Sequence, residues 1–407
     1  MKKLWLFLIM MFACVMVVAC GEKEEDGEKT PTPDQPVEPT QGDELTEIKL
    51  GSSGPLTGSA ALYGIAVKNG IELAIEEINK AGGVTVNGKQ VPFKLINFYN
   101  DEADGEKAKG FCSQLLDDGV DVIVGAVTTG ATEGLVSTAT KAGVPVITPS
   151  GTGDQLTVGP NGDERPIRTN IFRACFYDSY QGEFMAKYAK EQGMKKPYVL
   201  YNSNDAYSIG LKDAFVKTAK ELGISAKESG YLATDGNFAS AWAAIIDGGY
   251  DCVFIPDYYQ KVYTILQAGA EAGYQGVCYG GDGWDGVLGE VKEGDNVAFL
   301  DKCYYSNHFF AGSENEAVKS FVEAYKAKYN GEEPASFAAL AYDAVFMAKQ
   351  AIEAANSVEY KDVVKALTNG EFSNLVTCNG SFKFKDGNPQ KDALVITFKN
   401  GVQQEVK

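Results

Sequence analysis

Six short segments of this 407-residue chain set hydroxyls, carboxylates and aromatic rings among glycines. Residues 51–58, 125–130 and 148–152 supply Ser and Thr hydroxyls and free backbone N–H groups, and none of the three contains an acid. Residues 201–207, 256–259 and 280–284 supply Asp205, Asp257 and Asp282 beside Tyr or Trp rings. Hydroxyls and N–H groups at the start of a helix suit an anion. A carboxylate beside a tyrosine face suits an ammonium group. Together the two sets describe a clamp for a zwitterion.

Such segments need a frame, and the hydrophobic pattern supplies one. The stretches 48–51, 91–98, 121–125 and 144–147 read as strands, and 121–125 is nearly all apolar, as expected when helices cover both faces. Between them Val67, Ile71, Ala74, Ile75 and Ile78 form a helical stripe that Gly82-Gly83 ends, and 104–118 and 132–142 read as further helices. A second series follows, with strands at 197–201, 225–231, 250–255 and 276–280 and helices at 209–222, 239–247 and 261–272. Helices at 317–329, 335–355 and 360–368 come next, and a strand pair, 381–384 with 393–398 across the turn 385–389, closes the chain. Alternating strands and helices predict an α/β fold: two doubly wound parallel-sheet lobes of about 180 residues each. In open parallel sheets ligands sit beyond the carboxyl ends of the strands, which is where the six segments fall.

Composition narrows the chemistry. The chain has 37 Lys and Arg against 55 Asp and Glu, a formal net charge of −18, which excludes a nucleic-acid surface. Its one histidine, His308, removes any metal site needing two, and it reads as a lone surface or hinge residue. Segment 51–58 lacks the Gly-Lys-Ser/Thr ending of a phosphate loop, and Asp282 and Asp285 lack the Asp/Asn repeat of a calcium loop. No metal, no cofactor and no enzymatic activity are expected. Cys112, Cys175, Cys252, Cys278, Cys303 and Cys378 contain no Cys-x-x-Cys pair; disulfides and buried free thiols stand as equal alternatives.

The first 45 residues read as address and tether. Lys2 and Lys3 precede 16 apolar residues, Leu4 through Ala19, which suit a secretory leader rather than a membrane-spanning helix. Val17-Val18-Ala19-Cys20-Gly21 resembles a bacterial lipobox, with Cys20 as the lipid site. Residues 21–44 hold nine acids, two lysines and four prolines; an acidic, Pro-rich segment over 20–45 reads as a solvated tether of roughly 25–30 Å mean span.

The order of the motifs resembles a family: the type I periplasmic binding proteins, specifically the branched-chain amino-acid (Leu/Ile/Val) receptors of ABC importers. The matching stretches are Gly54-Pro55-Leu56-Thr57-Gly58 through Tyr63-Gly64, 79–83, 121–125, 144–149, Asp178 with Gln181-Gly182, 201–207, Tyr258 and 268–273, in order over residues 46–400. The resemblance implies two lobes joined by three hinge crossings near residues 174, 306 and 376, with 46–174 and 307–375 in lobe one and 175–306 and 376–407 in lobe two. It implies that Thr129 and Thr152 bind a ligand carboxylate and that the Ser150 carbonyl accepts from its ammonium. Asp282 supplies the counter-charge and Tyr258 faces the same group. Tyr63, Phe176 and Tyr207 fall on wall positions, with Trp284 beside Asp282. It further implies a monomeric, extracytoplasmic lipoprotein, touching a bacterial membrane through its lipid only, which captures a small molecule, an amino acid, for an ABC permease.

Two departures bear on the ligand. Asp257 adds an acid that the branched-chain receptors usually lack, and with Trp284 it points to a larger or more polar ligand, an amide or organic acid among them. Plainer readings stand beside these: Thr129 and Thr152 as helix caps, Asp282 as a solvated turn residue, and Tyr63, Phe176 and Tyr207 as packing. Two other functions compete, a ligand sensor of the same fold and a surface-structural or enzymatic lipoprotein.

Overall fold

The computed structural model describes residues 44–159 and 167–407. The leader over 1–19, Cys20 and the tether as far as residue 43 lie outside the described residues. The chain begins β1 (Ile48–Gly54), α1 (Ala61–Lys80), the hairpin β2 (Val84–Val86) and β3 (Lys89–Val91), β4 (Phe93–Asn100), α2 (Gly105–Asp117), β5 (Val122–Val124), α3 (Thr129–Ala142), β6 (Val146–Thr148), the short α4 (Gln155–Val158) and β7 (Ile171–Arg173). It continues α5 (Asp178–Glu191), β8 (Pro197–Asn202), α6 (Ala206–Glu221), β9 (Lys227–Tyr231), α7 (Ala239–Asp247), β10 (Cys252–Phe254), α8 (Tyr259–Glu271), β11 (Val277–Gly280) and β12 (Cys303–Asn307). Then come α9 (Glu316–Lys328), α10 (Ser336–Ala355), α11 (Tyr360–Asn369), four two-residue strands β13 (Phe372–Ser373), β14 (Ser381–Phe382), β15 (Phe384–Lys385) and β16 (Asn388–Pro389), and the pair β17 (Leu394–Lys399) and β18 (Val402–Glu405).

Two sheets organise these elements. The first, β4-β1-β5-β6-β7, is parallel throughout. The second, β18-β17-β12-β11-β10-β8-β9, is parallel from β12 to β9 and carries the antiparallel pair β17–β18 on one edge. Each is sandwiched by helices: α1 and α10 against α2 and α3 on the first, α5 and α6 against α7 and α8 on the second. All three residues of β5 are buried, with Val122 and Val124 packed in the α1 and α10 core and Ile123 in the α2 and α3 core. That is why no polar alternation shows in its sequence.

Local signals place the helices. The α1 stripe Val67, Ile71, Ala74 and Ile78 is buried, and Gly82 and Gly83 end the helix at φ of 109° and 94°, a region other residues seldom enter. Asp104 caps α2 by accepting from the Lys107 N–H, and Asp205 caps α6 by accepting from Ser208. Gly70 lets α1 approach α10: a Cβ there would lie 2.1 Å from the Ala338 carbonyl oxygen. That close approach brings Tyr63 and Phe337 ring to ring, with centroids 4.0 Å apart.

The structure departs from the sequence expectations at several places. Strands β7 and β12 and helix α5 were not expected. The buried face of α5 is Gln181, Gly182, Met185, Ala186 and Ala189, too small and polar to give an apolar stripe. Helix α3 begins at Thr129, three residues early. The expected pairing of 381–384 with 393–398 does not form: β14 pairs with β13, β15 with β16, and β17 with β12 and β18. The hairpin β15–β16 instead lies against the edge strand β7, where the Gly387 carbonyl accepts from the Arg173 N–H at 3.1 Å and Phe384 packs on Phe172. The chain therefore passes between the sheets after β7, after β12 and between Pro389 and Leu394, so the third passage comes later than residue 376. Cys112, Cys175, Cys252, Cys278, Cys303 and Cys378 are all free thiols. No described helix is long and apolar enough to cross a membrane.

Candidate functional site

The carboxyl ends of the two sheets face each other across a closed cleft. Several hydrogen bonds join the two sides, among them the following. The Tyr63 hydroxyl, on α1, donates to the Gly283 carbonyl and accepts from the Tyr259 N–H at 3.0 Å. The Asp178 N–H donates to the Thr152 carbonyl at 2.9 Å, and the Ser336 N–H to Asp285 at 2.7 Å. Between the lobes they leave a pocket of only about 10 Å³, so the two walls lie almost in contact.

One wall is built from hydroxyls. Thr129 opens α3, and its Oγ1 accepts from the Gly153 N–H at 3.2 Å and lies 3.4 Å from the Thr152 Oγ1. The Ser150 hydroxyl donates to the Val127 carbonyl at 2.8 Å, which ties the loop after β6 to the loop after β5. Thr128, not Thr129, occupies the capping position of α3, yet its side chain makes no cap bond, and its buried Oγ1 has no partner. Arg173, fully buried in β7, fixes the loop carrying Thr152 by donating to the carbonyls of Gly151 and Gly153 at 3.0 and 2.9 Å.

The facing wall is built from aromatic rings around one carboxylate. Asp282, 2% exposed, follows β11 in a short 3₁₀ turn. Its Oδ1 accepts from the Tyr207 hydroxyl at 2.9 Å, its Oδ2 lies 3.0 Å from the His308 Nε2, and its backbone N–H donates to the Gln181 Oε1 at 3.2 Å. Tyr207 stacks on Tyr258, with centroids 5.0 Å apart, and Tyr258 meets Tyr63 edge-on. The buried hydroxyl of Tyr258 has no partner. Burial pushes the Tyr63, Tyr207 and Tyr258 hydroxyls well above the usual tyrosine range, so they remain donors at neutral pH. Burial likewise holds His308 down, to about 4, against the pull of Asp282, so the imidazole is neutral at neutral pH.

Seven residues singled out from sequence line this cavity: Tyr63, Thr129, Ser150, Thr152, Tyr207, Tyr258 and Asp282. Three do not. Phe176 stacks on His308 at 3.6 Å, behind Asp282. Asp257 turns away: its carboxylate takes the Tyr231 hydroxyl and, at 2.7 Å, the Tyr258 N–H. Trp284 is wholly buried, donating from its indole N–H to the Ile255 carbonyl at 2.7 Å. His308 is no surface residue either, at 4% exposure, although it does lie at a passage between the sheets. Sequence reasoning missed Phe337, Thr128 and Val127, which also line the cavity. The signal for Thr128 was present, since it sits beside Thr129; nothing in the helical pattern of α10 singled out Phe337. Among the described residues no group of three or more His, Cys, Asp and Glu is placed to hold a metal ion.

Hydroxyls and a helix start on one side, and a carboxylate ringed by tyrosines on the other, line the cleft with groups that complement the two ends of a zwitterion. Comparison with known proteins agrees with this geometry. Residues 47–403 match the family model described as periplasmic binding protein. A Leu/Ile/Val-binding protein homolog of Brucella melitensis is 31% identical over 327 residues, covering 80% of this chain and 84% of the relative. The branched-chain amino-acid transporter substrate-binding protein LivJ of Streptococcus pneumoniae, solved with isoleucine, superposes with a TM-score of 0.77 at 31% identity, covering 89% of this chain and 99% of its own. The leucine-binding protein LivK of Thermotoga maritima gives a TM-score of 0.77 at 27% identity, covering 88% and 98%. These relatives are solute-binding proteins, not enzymes. The chain belongs to the periplasmic binding protein family, as an extracytoplasmic type I receptor for a small ligand, related to the branched-chain amino-acid receptors.

Proposed function

We propose that the protein is a monomeric lipoprotein that captures an α-amino acid with an aliphatic side chain between its lobes and presents it to an ABC permease. The observation that carries this reading is the position of Asp282 across the closed cavity from the hydroxyl pair of Thr129 and Thr152. The ligand carboxylate binds at those hydroxyls and the start of α3. The ammonium binds at Asp282, with the Ser150 carbonyl and the unpartnered Tyr258 hydroxyl beside it. Tyr63, Phe337 and Tyr207 wall the side chain. Asp257 and Trp284 were the reasons to expect a larger or more polar ligand, and neither reaches the cavity, so that expectation loses its support. Lobe one comprises 46–174 and 307–389, and lobe two the remainder of 175–407. Cys20 carries the lipid, which the mass of the mature N-terminal peptide tests. The function is tested by a thermal-shift screen against amino acids, their amides and organic acids. Aliphatic L-amino acids should stabilise the protein by roughly 2.7 kcal/mol at 100 times the dissociation constant; stabilisation only by acids lacking an amine would overturn the assignment.

A further inference from the structure

His308 is the only histidine in the chain, and its side chain is wholly buried against the carboxylate at the cavity. It directly follows β12, at the second passage between the sheets, and its ring stacks on Phe176, which lies at the first. Its Nε2 lies 3.0 Å from Asp282 Oδ2, and its buried Nδ1 has no partner. These contacts favour one tautomer. A carboxylate only accepts, so the nitrogen facing it carries the hydrogen. A second hydrogen, on Nδ1, would be a buried donor without an acceptor. The charged groups facing the ring are Asp282, from the loop after β11, and Lys391, which precedes β17 and opposes protonation.

We propose that His308 is a positioning residue for the ammonium end of the ligand: as the neutral Nε2–H tautomer it fixes the Asp282 carboxylate without neutralising it. Tyr207 holds the other oxygen. Two neutral donors thus orient the carboxylate and leave its charge to the ligand, whereas an imidazolium in the same place would compete with the ammonium. Gln181 extends the arrangement: its Oε1 accepts both the Asp282 N–H and the Ser306 hydroxyl, so the turn carrying Asp282 is bound to β12 by its backbone as well. The proposal rests on the amino-acid reading of the cavity.

The single histidine makes the test direct. The chain is labelled with ¹⁵N-histidine, purified without a histidine tag, and observed by long-range ¹H–¹⁵N correlation. One protonated and one bare ring nitrogen, with Nε2 protonated and unchanged from pH 8 to about 5, is the expected result; tautomer averaging or an Nδ1–H form overturns the proposal. Binding is then measured with L-leucine and with 2-hydroxy-4-methylpentanoate, which lacks the amine. His308→Phe keeps a ring on Phe176 but has no donor, and should weaken leucine about tenfold or more while narrowing the preference for leucine over the hydroxy acid. His308→Gln, which retains an N–H donor, should restore most of that preference. Equal weakening of both probes by His308→Phe, with no recovery in His308→Gln, would mean packing alone and overturn the proposal. If wild type binds leucine and His308→Phe binds it equally well, the proposal falls and the receptor reading stands. If wild type binds no amino acid at all, both fall.

Discussion

The carboxylate of Asp285 accepts the Ser336 N–H at 2.7 Å, so a residue that follows β11 of the second sheet caps the helix α10 that packs on the first. The other Asp285 oxygen accepts from the Gln403 amide at 3.1 Å, and the whole residue is buried. The bond ties the two lobes together across the cleft. A carboxylate at a helix start contributes about 1–2 kcal/mol in partly buried settings. Asp285→Ala should therefore shift the protein toward the open form and weaken ligand about tenfold, although Asp285 does not line the cavity. Small-angle scattering should show a larger radius of gyration than wild type at subsaturating ligand; identical profiles would remove Asp285 from closure.

Tyr63 makes a second contact of this kind. Its hydroxyl meets both the Gly283 carbonyl and the Tyr259 N–H, while its ring stays on Phe337 within its own lobe. Tyr63→Phe keeps the ring and strands one acceptor and one donor in the closed state only. Each stranded group costs about 1–3 kcal/mol. The expected outcome is a ligand dissociation rate raised by about tenfold or more with a nearly unchanged association rate, read by stopped-flow fluorescence. A slower association rate with unchanged dissociation would place Tyr63 in capture rather than closure.

Asp282 carries the ammonium end of the proposed ligand. Removing one partner of a buried ion pair typically costs about 3–5 kcal/mol. Asp282→Ala should weaken an amino acid by more than a hundredfold in titration calorimetry. The fold should survive, because the backbone bond from residue 282 to Gln181 does not involve the lost side chain. Unchanged affinity would show that the amine is held elsewhere.

The parallel frame was legible because burial writes itself into composition: β5 and β6 are apolar on both faces, and the α1 stripe repeats at helical spacing. The strand exits were legible for the same reason, since glycines and hydroxyls interrupt that pattern at Thr129, Thr152 and Asp282. What failed was side-chain direction. Asp257 and Tyr258 are adjacent, and only Tyr258 faces the cavity; neighbours beyond a strand end point to different sides, and which side depends on Tyr231 reaching across from β9. The burial of His308 was not legible because its partners, Asp282 and Phe176, are 26 and 132 residues away, and no local pattern marks a contact at that separation. The C-terminal pairing failed because β13 to β16 are two residues each and are fixed by packing of Phe372, Phe382 and Phe384 rather than by strand periodicity.

The pH dependence of stability should carry the mark of Asp257. Burial raises its carboxyl to about 7, against the opposing pull of the Tyr231 hydroxyl and the Tyr258 N–H. In the unfolded chain the same group titrates near 3.9. Between these two values the folded protein binds a proton that the unfolded chain has released, so the slope of stability with pH is negative. This contribution is fully present below about pH 4 and is lost as pH rises toward and through 7. Asp101, raised by burial to about 6, acts in the same direction. His308 acts in the opposite one: buried neutral and held to about 4, it makes stability rise as pH climbs from about 4 to its unfolded value near 6.5. Wild type alone therefore conceals each contribution. The difference between wild type and Asp257→Asn isolates one, because the amide cannot titrate and His308 and Asp101 are common to both proteins. Urea unfolding at a series of pH values should show that difference moving in favour of the variant as pH rises from 5 to 8. Only the interval from pH 5 to about 7 contributes, so the change is at most about 3 kcal/mol. A difference that stays flat across this range would mean that Asp257 is ionised in the folded protein at pH 5, with its two donors outweighing its burial.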